Sequence, residues 1–129
     1  MTLHPDLPPG LTGRVEVVVG ADDTAVAAGS GDVPVLSTPR LIALCERATM
    51  LALGALLPDG WTSVAMRVQF DHLAPVGVGG ALVAEAVLDR VVGRRLVFTV
   101  TASDASGLIG AGKVTRIAVE RERFLSRAH

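Results

Sequence analysis

Cysteine occurs once, at Cys45, so no intrachain disulfide can brace the fold and a reducing compartment suits the chain. Aromatic residues make up 3% and tyrosine is absent, which removes the stacking platforms on which single-stranded nucleic-acid binders rely. Charge of one sign is also missing: a net charge of −1 gives no pull toward nucleic acid or an anionic membrane. The longest apolar run, residues 50–57, stops at Pro58-Asp59-Gly60 and is far too short to cross a bilayer. The N-terminus Met1-Thr2-Leu3-His4-Pro5-Asp6 lacks the basic and apolar stretches of a signal peptide. Three scattered histidines and one cysteine give no metal-ligand spacing, so no metal site is expected. These absences point to a cytoplasmic location, with no nucleic-acid partner and no membrane partner.

What is present is apolar substance. Half of the 129 residues are hydrophobic and 19% are charged, enough for one domain over residues 1–129 with its own core and with part of its surface covered in an oligomer. Residues 1–12, rich in Pro and Gly, read as irregular, and Arg14 to Val19 reads as a strand. Asp22 and Asp23 start a short helical turn through Ala28, and residues 29–32 are loop. Ser37-Thr38-Pro39 then marks a helix start, with Thr38 suited to the N-cap and Pro39 to N1. Residues 40–57 are apolar nearly all round, which predicts a buried helix.

The rest is strand-like, near residues 61–72, 81–92, 95–103 and 108–120. The short connections around Gly93-Arg94 and Ala105-Ser106 imply antiparallel hairpins. The predicted class is α+β, an antiparallel sheet of about five strands wrapped around one long central helix. The glycines of residues 107–112 lead along a strand rather than into a helix, so they read as close-packed sheet backbone and not as a nucleotide-binding loop. Residues 121–129 form a charged C-terminal extension, with Phe124 and Leu125 as candidates for docking back.

Within the central helix stands a carboxylate, Glu46, whose neighbours one turn away are Ile42, Ala43, Thr49 and Met50. No Lys or Arg is placed to neutralise it locally. An acid in such a setting protonates, finds a distant partner, for which Arg116 is a candidate, or is kept for chemistry. Period-two alternation in the following strand puts Val64, Met66, Val68, Phe70 and His72 on the face toward the helix, and Ala65, Arg67, Gln69 and Asp71 on the other. A His and a carboxylate thereby converge on one apolar cleft. Thr38 and Glu46 lie roughly 12 Å apart along one helix, so they share a pocket only if a second copy of the chain contributes or the substrate spans both. The helix N-terminus, with free N–H groups, suits a developing oxyanion or a thioester carbonyl. Cys45 reads as apolar filler rather than a nucleophile.

The run Val35-Leu36-Ser37-Thr38-Pro39, then Glu46, then Phe70-Asp71-His72-Leu73-Ala74-Pro75, with Gly112 to Arg116 in the last strand, resembles the hotdog-fold thioesterases related to fluoroacetyl-coenzyme A thioesterase. The resemblance covers roughly residues 13–125. It implies a hotdog fold and a catalytic set of Thr38, Glu46 and His72. It also implies a homodimer with sites at its interface, Arg116 in the site region, and Ala65 and Phe70 as further substrate-binding positions. The expected substrate is a small or medium acyl-CoA, with coenzyme A entering as part of the substrate and no separate cofactor. Residues 29–35 lack the aromatic lid of the fluoroacetate-selective member, and Ala65 stands where that member has Gly, so the acyl group is left open, as is pairing of dimers into tetramers. The competing readings are a hotdog enoyl-CoA hydratase or dehydratase, which Asp71-His72 echoes superficially, and a non-catalytic acyl-CoA or small-ligand binding dimer.

Overall fold

A computed structural model of the chain describes residues 7–128; His4 and His129, with the first half of the N-terminal segment read as irregular, lie outside the described residues. Strand β1 (Thr12–Val18) is followed by a 3-10 turn (Ala21–Asp23) and the short helix α1 (Ala25–Ala28). The long helix α2 (Thr38–Leu53) comes next. Strands β2 (Trp61–His72), β3 (Ala81–Val92), β4 (Arg95–Asp104) and β5 (Gly107–Glu120) then run to a last helix, α3 (Arg121–Leu125). All neighbours in the five-stranded sheet are antiparallel, in the order β1-β3-β4-β5-β2. The expected strands are all present. Only β1 shifts appreciably, beginning two residues earlier because Thr12 and Gly13 pair with Val87 and Ala86.

One face of α2 drives its seat on the sheet. Leu41, Leu44, Cys45, Ala48 and Ala52 recur every three or four residues and are all buried, the spacing of a single helical face. Against them stand Leu82, Ala84, Ala86 and Leu88 of β3, and Leu96, Phe98, Val100 and Ala102 of β4, alternating inward with period two. Each large side chain enclosed there contributes about 1.5–3 kcal/mol. The helix comes closest at Gly13 of β1, where an added Cβ would lie 2.0 Å from the Ala48 carbonyl oxygen and 2.5 Å from the Ala52 nitrogen. Only a residue without a side chain permits that approach.

Three features differ from the sequence expectation. The helix stops at Leu53 rather than Leu57, because Gly54 takes a positive φ of 53° and caps Met50 with its N–H. Nor is it buried all round: Ala43, Arg47, Met50 and Leu51 are exposed, since the sheet covers one side only. In β2 a bulge between Ala65 and Arg67 adds one residue, and this reverses the faces before it. Ser63 and Ala65 therefore look toward the helix, and Met66 turns out to 46% exposure, while Val68 and Phe70 pack inward as expected. In the C-terminal segment Phe124 is half-buried but Leu125 remains exposed. Among the described residues no helix is long and apolar enough to cross a membrane.

Candidate active site

The N-terminus of α2 is tied down from two sides. Ser37, not Thr38, is the N-cap: its Oγ accepts from the Arg40 N–H at 3.1 Å. Its own N–H donates to the Asp23 carbonyl at 2.9 Å. The Asp23 carboxylate accepts from the Gly20 N–H at 2.8 Å and from Arg40 Nε at 2.9 Å. The Gly20 N–H holds its pKa below the ordinary carboxylate value, partial burial opposes this, and Arg40 adds to the lowering. On the other side, the Leu36 N–H donates to the Val76 carbonyl at 2.7 Å. Because Ser37 does the capping, Thr38 sits inside the first turn with its hydroxyl uncommitted to the helix.

That hydroxyl meets His72. Thr38 Oγ1 lies 2.8 Å from His72 Nδ1, where the end of β2 passes the helix start. His72 Nε2 is buried and has no hydrogen-bond partner among the described residues. A buried polar nitrogen left unpaired costs about 1–3 kcal/mol, so the site has an open requirement. Thr38 and His72 line a groove of about 340 Å³ walled by Val33, Val35, Leu73 and Pro75, with no Asp, Glu, Lys or Arg in its lining among the described residues.

A second cluster forms around Arg116, which is 6% exposed. Its Nε donates to Ser63 Oγ at 2.8 Å, Nη2 to the Ser63 carbonyl at 2.8 Å, and Nη1 to Thr49 Oγ1 at 3.5 Å. The Thr49 hydroxyl in turn donates to the Glu46 carbonyl, so the guanidinium is moored beneath the turn that carries Glu46. Burial pulls the Arg116 pKa down, and the Glu46 charge opposes this. Glu46 is thus near enough to be felt, yet no ion pair joins the two among the described residues.

The structure therefore groups the expected residues in two sets. Thr38 meets His72, and Ala65 pairs in register with Arg116. Phe70 packs inward two residues before His72, with its ring over Gly110, where an added Cβ would lie 2.6 Å from the ring tip. Glu46, half-exposed on α2, makes no hydrogen bond or ion pair with Thr38 or His72 among the described residues. Ser37, Ser63 and Thr49 escaped the sequence reading. For Ser37 the S-T-P order was the available signal; for Ser63 the bulge removed it.

Comparison with known proteins bears on this geometry. The family model described as FlK, fluoroacetyl-CoA-specific thioesterase, matches residues 19–122. The chain belongs to the fluoroacetyl-CoA-specific thioesterase family. Membership makes it a thioester hydrolase. The structure of the fluoroacetyl-CoA thioesterase FlK is similar with a TM-score of 0.86 at 26% identity, covering 93% of each chain. A FlK variant in complex with fluoroacetate and CoA gives 0.84 at 27% identity, covering 91% of this chain and 98% of that one. A hot-dog-like protein from Thermanaerovibrio acidaminovorans gives 0.84 at 26% identity, over 95% and 94%. The helix in its curved sheet is the hotdog fold. No match to a protein of curated function was found.

Proposed function

We propose that this member of the thioesterase family hydrolyses a small or medium, uncharged acyl-CoA at a site shared between two copies of the chain. The observation that carries this reading is the Thr38–His72 contact with the buried, unpartnered Nε2. A hydroxyl at 2.8 Å from an imidazole nitrogen is the arrangement of a nucleophile and its base. His72 takes the Thr38 proton as Oγ1 bonds to the thioester carbon, and returns it to the thiolate as the carbon–sulfur bond breaks. Water then releases the acid from Thr38 by the reverse proton path. Among the described residues the chain places no acceptor at Nε2, and in this reading Glu46 of a second copy is the carboxylate that accepts from Nε2–H.

Two features support a second copy. Strand β2 lies at the sheet edge with its outer side unpaired among the described residues, and Met66 of that strand and Met50 and Leu51 of α2 are exposed apolar residues. The uncharged groove wall supports a neutral acyl group. The test is thiol release from a panel of short, branched and aromatic acyl-CoAs. Turnover of at least one is expected, with Thr38→Ala and His72→Ala each lowering kcat by about 100-fold or more. Absence of thiol release across the panel overturns the reading.

A further inference from the structure

Residues 35–37 enter α2 as a short extended segment gripped along both edges. On one edge the Ala25 N–H donates to the Val35 carbonyl at 2.8 Å, Thr24 and Leu36 form an antiparallel bridge, and the Ser37 N–H reaches the Asp23 carbonyl at 2.9 Å. On the other, the Val76 carbonyl takes the Leu36 N–H and Val35 bridges Gly77. Thr38 is the next residue, so this clamp ends where the hydroxyl that meets His72 begins.

Two neighbouring acids in the 3-10 turn are used differently. Asp22 is exposed, and its carboxylate joins no ion pair among the described residues. Asp23, with a side chain 19% exposed, gives one carboxylate oxygen to the Gly20 N–H and the other to Arg40 Nε at 2.9 Å. Together with its carbonyl, it holds Ser37, one residue before Thr38, and Arg40, two residues after it. Arg40 does nothing for the helix as such. The first turn, Thr38-Pro39-Arg40-Leu41, carries this cation and no acid, and a cation at a helix N-terminus opposes the macrodipole. A partly exposed ion pair also adds little to stability. What the pair supplies is a second tether, on the far side of Thr38 from the first.

We propose that Asp23 and Arg40 are positioning residues for Thr38: by gripping the chain on both sides of it, they keep its hydroxyl within hydrogen-bonding reach of His72 Nδ1. This rests on the reading of Thr38 and His72 as nucleophile and base. Helix ends fray, and an attacking atom misplaced by about 1 Å can lose on the order of 100-fold in rate. Neither Asp23 nor Arg40 lines the groove among the described residues, so the tether bears on turnover and not on substrate binding.

Asp23→Ala and Arg40→Ala are each expected to lower kcat for the best acyl-CoA about tenfold, with KM held, when assayed well below each variant's melting midpoint. The double variant should lose no more than Asp23→Ala alone, because both side chains act through one contact. Arg40→Lys, whose amine can still approach the carboxylate, should recover part of the loss. Arg14→Ala, which breaks an exposed pairing with Glu16 and Glu85, is the control and should turn over like the wild type. If Asp23→Ala does not fold, Arg40→Ala, which removes an exposed side chain, decides alone. A second readout needs no turnover: the 15N resonance of His72 Nδ1, assigned by its absence in His72→Ala, should shift in Arg40→Ala. Unchanged kcat in the variants, a loss borne by KM instead, or an equal loss in Arg14→Ala overturns the proposal. An unmoved His72 resonance also overturns it while leaving thioester hydrolysis intact. A shifted resonance in a protein that hydrolyses no acyl-CoA supports the tether and rejects the hydrolytic reading.

Discussion

Cys45 adjoins Glu46 in sequence and differs from it in everything that governs reactivity. It is fully buried, and burial together with the Glu46 charge pushes its thiol up to about 12. Near neutral pH it is a protonated thiol and a poor nucleophile. A disulfide reagent at about pH 8 is expected to label it only after denaturant is added; rapid labelling of the native protein would contradict that burial. Asp23 makes the opposite case. Its carboxylate is held below the ordinary value of 3.8, chiefly by the Gly20 N–H, with burial opposing and Arg40 assisting. The native state keeps this charge at a pH where the unfolded chain has begun to lose it. Its contribution is therefore complete above about pH 4 and is lost as the pH falls through the lowered native value. Denaturation midpoints measured between neutral and acid pH should fall less steeply at the acid end for Asp23→Asn than for the wild type.

At the scale of elements, helix α2 is positioned by contacts that leave no slack. Gly13 lets the backbone of β1 touch that of α2, and the obstacle to any side chain is the Ala48 carbonyl and Ala52 nitrogen, which cannot rotate away. Gly13→Ala should destabilise the fold by about 1–3 kcal/mol, the range for overpacking, visible as a lowered midpoint in denaturant. An unchanged midpoint would mean that α2 shifts freely on the sheet. Such a shift bears on the site, because Thr38 rides on α2 and His72 on β2. The bulge in β2 is the other determinant. By adding one residue between Ala65 and Arg67 it brings Ser63 and Ala65 to the helix side while keeping Phe70 and His72 there.

For the whole molecule, the question is whether the Glu46 that serves one site belongs to the same chain as its Thr38. Thr38 and Glu46 are separated by about 12 Å along a rigid helix, and the exposed edge of β2 and outer face of α2 offer a place for a second copy. Mixing Thr38→Ala with Glu46→Ala after unfolding and refolding together answers it. Each variant alone is expected to be inactive. A mixed dimer retains one site with intact Thr38 from the Glu46→Ala chain and intact Glu46 from the Thr38→Ala chain, so activity should reappear. Continued inactivity of the mixture would place all three residues in one chain and reject the shared site.

The sequence by itself determined the class of fold. Alternating apolar residues in the later strands, two short hairpin connections and a Pro-marked helix start are local signals, and each corresponds to an element observed at nearly the expected bounds. It also singled out Thr38 and His72, which the structure brings into contact. Tertiary structure alone decided which face of β2 before the bulge meets the helix, since one inserted residue inverts a period-two pattern without leaving a compositional trace. It decided that Ser37 rather than Thr38 caps α2, because the choice depends on the Asp23 and Val76 carbonyls that fix the chain leading into the helix. It likewise decided that Arg116 is held by Ser63 and Thr49 instead of an acid. Local sequence reports propensity and periodicity, whereas these outcomes are set by which distant groups arrive within hydrogen-bonding reach.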